Sequence, residues 1–197
     1  MFRLLAEGIE SLRLPCSWVL LIPAIGLAVF GRRRSALIIG TYVFAAGLIA
    51  FLRFGGWWFA TPSSLIQIPL GLILLAIIFG AWKLDRPSTD ALVAATTGVA
   101  AAWSWIPCVG PHLGDLLNAA RSEPWGQLGG TLAYIVGLLV PFVIVAALDA
   151  LFPELRTRLD KPAVITTGVV LLALFGLALA TTVFDDFSSE LARRSTF

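Results

Sequence analysis

Long apolar runs separated by short polar clusters set the pattern of the chain. Six of them, residues 14–30, 36–52, 64–82, 91–107, 128–150 and 163–184, approach the ~20 residues that a helical crossing of a bilayer needs. Ahead of them, Arg3, Glu7, Glu10 and Arg13 alternate with Phe2, Leu4, Leu5, Ile9, Leu12 and Leu14. At helical spacing these charges do not share one face, which predicts an interfacial or half-embedded helix over 1–15. Between the third and fourth runs, Lys83-Leu-Asp-Arg-Pro-Ser-Thr-Asp90 reads as a polar turn, and Pro87 disfavours helix continuation there. It divides the chain into halves, about 1–86 and 87–197, each with three runs. Three crossings being odd, the halves must run through the membrane in opposite senses, as in inverted-repeat transporters with discontinuous helices near the midplane.

Prolines interrupt the first and fourth runs. Pro15 and Pro23 each remove a backbone donor and disturb the first helix. From Ala91 an apolar stretch continues past Pro107 and Pro111 to Ala120; as one straight helix it would reach about 45 Å, too long for a ~30 Å core. A break at the proline pair resolves this, with a part-helix on either side. The expected fold is all-α: a single integral membrane domain over 1–197, with six transmembrane helices in two inverted three-helix repeats and proline-broken first and fourth helices.

Composition agrees with that class. The chain is 58% apolar and 13% charged, whereas soluble domains carry about a quarter charged residues. A net charge of +2 with no basic stripe gives no sign of a nucleic-acid partner. Lys and Arg near span ends favour the cytoplasm. The first, third and fifth loops hold eight of them (Arg32, Arg33, Arg34, Lys83, Arg86, Arg156, Arg158, Lys161) and the other side six (Arg3, Arg13, Arg53, Arg121, Arg193, Arg194). Both termini are therefore expected outside the cytoplasm, in a multi-pass protein of the cell membrane. The arginine cluster follows the first run instead of preceding it, so that run is expected to stay as a helix and not to act as a cleaved signal.

Most other features in the runs read as structural. Gly40, Ala45, Ala46 and Gly47 are small enough for close helix approach, and Gln67 is expected to hydrogen-bond another helix. Phe54-Gly-Gly-Trp-Trp-Phe59 fits an aromatic belt, Pro141 implies a kink, and Asp149 is placed to reach headgroup water.

Chemistry enters with two cysteines, Cys16 and Cys108, each directly after a proline and each near a break in its half. They permit one intramolecular disulfide. Thiol–disulfide exchange needs a thiolate, a partner disulfide and room for a mixed-disulfide intermediate. Unpaired N–H donors at a helix break stabilise a thiolate, while buried free cysteines are otherwise inert small hydrophobes. His112, the one histidine, follows Cys108 by four residues and reads as a hydrogen-bonded structural residue or a tuner of the thiol. Metal sites usually need more ligands than this.

Trp105-Ile-Pro-Cys-Val-Gly-Pro-His-Leu-Gly114 and Leu132-Ala-Tyr-Ile-Val-Gly-Leu-Leu-Val-Pro-Phe142 resemble the Trp-Thr-Pro-Cys-x-Gly-Pro-x-Leu-Gly motif and the downstream Tyr-x-x-Gly…Pro-Phe helix of the CcdA/DsbD transmembrane-domain family of cytochrome c biogenesis and disulfide-reducing proteins. The first half departs from the family's Ser-Pro-Cys-x-x-Pro-x-x-Pro pattern. Val19 stands where a proline is expected, and Pro23 comes one place late. The resemblance implies transfer of reducing equivalents across the membrane as a dithiol/disulfide couple, from cytoplasmic thioredoxin to an extracytoplasmic thioredoxin-like protein, with no bound cofactor. It implies Cys16 and Cys108 as the exchanging pair, with Pro15, Pro107, Gly110 and Pro111 shaping the breaks and His112 as a tuner. Two other classes stay open. One is a small permease for a soft metal ion with Cys16, Cys108 and His112 as passing ligands; the other is a non-catalytic assembly subunit of the same fold.

Overall fold

Helices form wherever the apolar pattern asks for them. A computed structural model describes residues 2–14, 17–30, 35–54, 64–84, 87–105, 115–116, 118–119, 125–151, 162–181 and 183. Seven helices lie among these residues: α1 (Phe2–Ser11), α2 (Trp18–Phe30), α3 (Ser35–Phe54), α4 (Ser64–Leu84), α5 (Pro87–Ser104), α6 (Leu128–Leu151) and α7 (Pro162–Ala180). Helix α1 occupies the mixed N-terminal stretch, and α2 to α7 fall on the six apolar runs. The stretches Ala36–Arg53, Leu128–Leu148 and Ala163–Ala180 are long and apolar enough to cross a membrane, while Trp18–Phe30 and Leu65–Ala81 are shorter apolar helices. Large apolar side chains also point away from the protein: Leu65 is 84% exposed, Phe44 73% and Phe79 57%. Water-facing surfaces rarely carry such extended apolar patches, so this outer surface fits lipid.

Inside, Leu20, Leu27, Ile38, Tyr42, Leu74, Leu138, Leu172 and Leu179 form a buried core shared by α2, α3, α4, α6 and α7. Helix α3 packs on α5, α6 and α2; α7 packs on α2 and α4; α4 and α2 each pack on α5; and α1 lies along α6. A Cβ on Gly98 of α5 would come within 2.7 Å of the Tyr42 carbonyl oxygen on α3, so only glycine allows this approach. Farther along, Arg53 of α3 reaches residues 102–105; both numbers rise together, so α3 and α5 run parallel and end side by side. The α1–α6 contact is tighter still. A Cβ on Gly8 would collide with the Tyr134 carbonyl oxygen, and one on Gly137 with that of Leu5.

Several local expectations change. Gly47 does sit against α6, where a Cβ would be 2.9 Å from Leu139 Cδ1, but nothing lies within 4 Å of a Cβ on Gly40. Gly40 therefore makes no close helix approach and opens onto a shallow groove beside Val143 and Ala146. Helix α2 runs unbroken through Pro23, as α4 does through Pro69 and α6 through Pro141. In the turn before Pro23, the Tyr42 hydroxyl donates to the Leu20 carbonyl at 2.8 Å, a tie from α3 of the kind by which a neighbouring helix steadies a proline-bearing turn. The polar turn before the second half is also shorter than its composition suggests. Helix α4 continues to Leu84 and α5 already starts at Pro87, with Asp90 in its first turn. Proline suits the first helical position, where an N–H would be unpaired anyway, and a carboxylate there complements the positive helix end. The aromatic cluster at 55–59, the charged positions 32–34, 86, 121, 156–161 and 193–194, and the side chain of Asp149 lie outside the described residues.

Candidate functional site

Pro15, Cys16, Pro107, Cys108, Gly110, Pro111 and His112 all lie outside the described residues. The chain on either side of them is described, and it forms a continuous frame.

On the first side, α1 unwinds through three-residue turns. The amides of Leu12, Arg13 and Leu14 bond the carbonyls of Ile9, Glu10 and Ser11 at 3.3, 3.0 and 3.0 Å. Such tight bonds satisfy carbonyls that a helix end leaves without intrahelical partners. Across Pro15-Cys16, Ser17 returns to the same place: its amide bonds the Leu14 carbonyl at 3.0 Å and its hydroxyl donates to the Ser11 carbonyl at 2.7 Å. The Ser11 hydroxyl in turn donates to the Gly8 carbonyl at 2.7 Å, and both serines are buried. The chain around Cys16 is thereby pinned at both ends before α2 begins at Trp18.

On the second side, the last helical bond of α5 among the described residues runs from the Trp105 amide to the Ala101 carbonyl at 2.9 Å. Proline has no N–H, so Pro107 can offer nothing to the carbonyl four residues back, that of Trp103. Arg53, at the end of α3, supplies a donor in its place. Its Nη1 donates to the carbonyls of Ala102 (2.7 Å), Trp103 and Trp105 (2.9 Å). Arg53 is 4% exposed, and its guanidinium carbon sits 5.5 Å from the centroid of the Trp103 ring. A buried cation costs several kcal/mol unless it is well bonded; here it meets three carbonyls and a ring face. Two parallel helices also end together here, and their negative poles favour a positive charge.

The two sides meet on α6. Trp105, fully buried, stacks on Tyr134 with ring centroids 6.4 Å apart and planes 13° apart. The Tyr134 carbonyl lies against Gly8 of α1, whose own carbonyl accepts from the Ser11 hydroxyl. Ser17, Ser11, Gly8, Tyr134 and Trp105 thus link the residue after Cys16 with the residue two before Pro107. Positions 115, 116, 118 and 119 are again helical, and Leu116 packs against Gly130 at the start of α6.

Arg53 is the residue whose role the sequence concealed. Counted by pattern it is a charge at a span end, whereas it is buried and joins α3 to α5. Its position directly after the apolar run, in the last turn of α3, is the one linear signal, and snorkelling arginines give the same signal. Gln67 also departs from expectation: it is fully buried, yet neither amide atom has a hydrogen-bond partner among the described residues. Those residues bring together no three His, Cys, Asp or Glu side chains able to hold a metal ion.

With this frame in view, the chain is similar to the cytochrome c-type biogenesis protein CcdA of Halalkalibacterium halodurans, 29% identical over 136 residues that cover 65% of this chain. The match takes in 57% of that relative's own length. No family profile and no solved structure matches the chain.

Proposed function

We propose that this protein carries two electrons at a time across a membrane by thiol–disulfide exchange, with Cys16 and Cys108 as the exchanging pair. The observation that carries the reading is the frame itself: the flanks of the two Pro-Cys segments, far apart in sequence, converge on Tyr134 through Gly8 and Trp105. Similarity to a cytochrome c-type biogenesis protein supports the same chemistry.

In the proposed cycle, a thiolate of cytoplasmic thioredoxin attacks the Cys16–Cys108 disulfide. One S–S bond breaks as a mixed disulfide forms. The second thioredoxin thiol resolves it, leaving thioredoxin oxidised and both cysteines reduced. The dithiol then attacks the disulfide of an extracytoplasmic thioredoxin-like protein in the same way, and two electrons and two protons pass on. Thiolate formation at each step governs the rate. Pro15, Pro107, Gly110 and Pro111 shape the breaks that present the thiols, and His112 tunes the second. No bound cofactor takes part, and the acceptor serves cytochrome c maturation or disulfide reduction.

The proposed architecture has six crossings in one domain, halves at about 1–86 and 87–197, and both termini outside the cytoplasm. Its inverted repeat equates α2 with α5, α3 with α6, and α4 with α7. Contacts between α4 and α5 then correspond to those between α7 and α2, and α2–α5, α3–α6 and α4–α7 are each their own counterpart; all of these pairs pack. The α3–α5 and α2–α3 contacts depart from the symmetry, and α1 lies on α6.

The test is the redox state of the two cysteines in native membranes, by acid-quenched thiol alkylation and gel shift, with and without functional thioredoxin. Reduced thiols with thioredoxin, and an intramolecular disulfide without it, are expected. Free thiols in both conditions would sink the reading.

A further inference from the structure

We infer that Arg53 is the positioning residue of the Pro107-Cys108 step: by holding the end of α5 from α3, it fixes where the helix stops and where the thiol begins. Four observations meet here. Pro107 deprives the Trp103 carbonyl of its helical donor, and Arg53 Nη1 donates to that carbonyl and to those of Ala102 and Trp105. Trp103 lies under the guanidinium. Gly98, one turn and a half earlier, lets α5 come close enough to α3 for the reach. Trp105, the last residue held, is also stacked on Tyr134, so it is held from two sides.

The consequence for Cys108 follows from chain length. It stands three residues after Trp105, no more than about 11 Å even if fully extended. A guanidinium fixed at that distance in a site of low dielectric favours the thiolate over the thiol. A lysine could supply the charge and donors, but its ammonium lacks the flat face that the guanidinium lays over the Trp103 ring. The importance of this positioning for electron transfer rests on the exchange reading above; the positioning itself does not.

The test uses the full chain in native membranes, with Cys16→Ser so that Cys108 is the one thiol. A membrane-permeant maleimide labels it, and rates are compared for Arg53, Arg53→Lys and Arg53→Met, each with Pro107 and with Pro107→Ala. A matching set in Cys108→Ser reports Cys16. We expect Arg53→Met to slow Cys108 labelling about tenfold, the scale on which a nearby cation changes thiolate content. Arg53→Lys recovers part of the rate, and Cys16 stays within about twofold because the two sites do not share the substitution's contacts. With Pro107→Ala, an N–H becomes available for the Trp103 carbonyl, and the effect of Arg53→Met shrinks.

Unchanged Cys108 labelling in Arg53→Met overturns the inference. So does an equal loss at Cys16, which marks general loosening, or an equal loss with and without Pro107. If Arg53→Met accumulates only together with Pro107→Ala, yield reports the same dependence; if it fails in both backgrounds, Arg53 acts independently of the proline and the inference falls. Should the unsubstituted cysteines fail to cycle with thioredoxin, the exchange reading falls while this comparison stands.

Discussion

Tyr134 is where one side chain decides how two distant segments sit. Its ring carries Trp105, and its backbone carbonyl lies against Gly8 of α1. If the stacked ring is the important part, Tyr134→Ala leaves a cavity under Trp105 and destabilises the protein by about 3–5 kcal/mol, the range for losing a buried aromatic. Tyr134→Phe keeps the ring and removes a buried hydroxyl that has no hydrogen-bond partner among the described residues, so it is neutral or stabilising. Unfolding of purified protein in mixed micelles measures both. Equal losses for the two variants would move the weight from ring to hydroxyl. Gln67 makes the complementary point: an amide buried without a partner among the described residues is destabilising by about 1–3 kcal/mol, so its presence is not explained by the packing of α4.

Helices here are joined by backbone proximity more than by long side chains. The α1–α6 contact depends on Gly8 and Gly137, each against a carbonyl of the other helix. Gly137→Val must push α1 away, because a backbone carbonyl cannot rotate aside, and overpacking of this kind costs about 1–3 kcal/mol. Hydrogen exchange of the α1 amides should accelerate in Gly137→Val. Gly40→Val, which places its side chain in open space, should leave α1 protection unchanged. The same acceleration in both variants would mean that helix propensity, not contact, was responsible. Since α1 leads directly into Pro15-Cys16, its docking also bears on how the first thiol is presented.

At the scale of the molecule, the proposed six crossings make a prediction about sides. In a Cys16→Ser/Cys108→Ser background, single cysteines at Arg33, Arg86 and Thr157 should react with a membrane-impermeant maleimide only from the cytoplasmic face. Cysteines at Ala60, Glu123 and Ser189 should react only from the opposite face. A reversal of all six would invert the orientation drawn from the loop charges. A break in the alternation would remove the inverted repeat, because three crossings per half are what make the halves antiparallel.

The linear pattern determined the helices, their class and the segments to watch. Apolar runs of 13 to 24 residues fold as helices in an apolar solvent because every backbone group is then satisfied within the run, and that is local information. So is the interruption ahead of Pro107, where α5 stops at Ser104. Whether a proline ends a helix is not local. The helices continue through Pro23, Pro69 and Pro141, and beside Pro23 a tie comes from Tyr42, 22 residues away from the carbonyl it bonds. Only the tertiary structure decided that Arg53 closes the end of α5 from 49 to 52 residues upstream, or that Gly8 and Trp105 approach the same tyrosine. A charge at a span end has one appearance in sequence whether it faces water or a helix terminus; the fold distinguishes them by bringing carbonyls without helical partners within its reach.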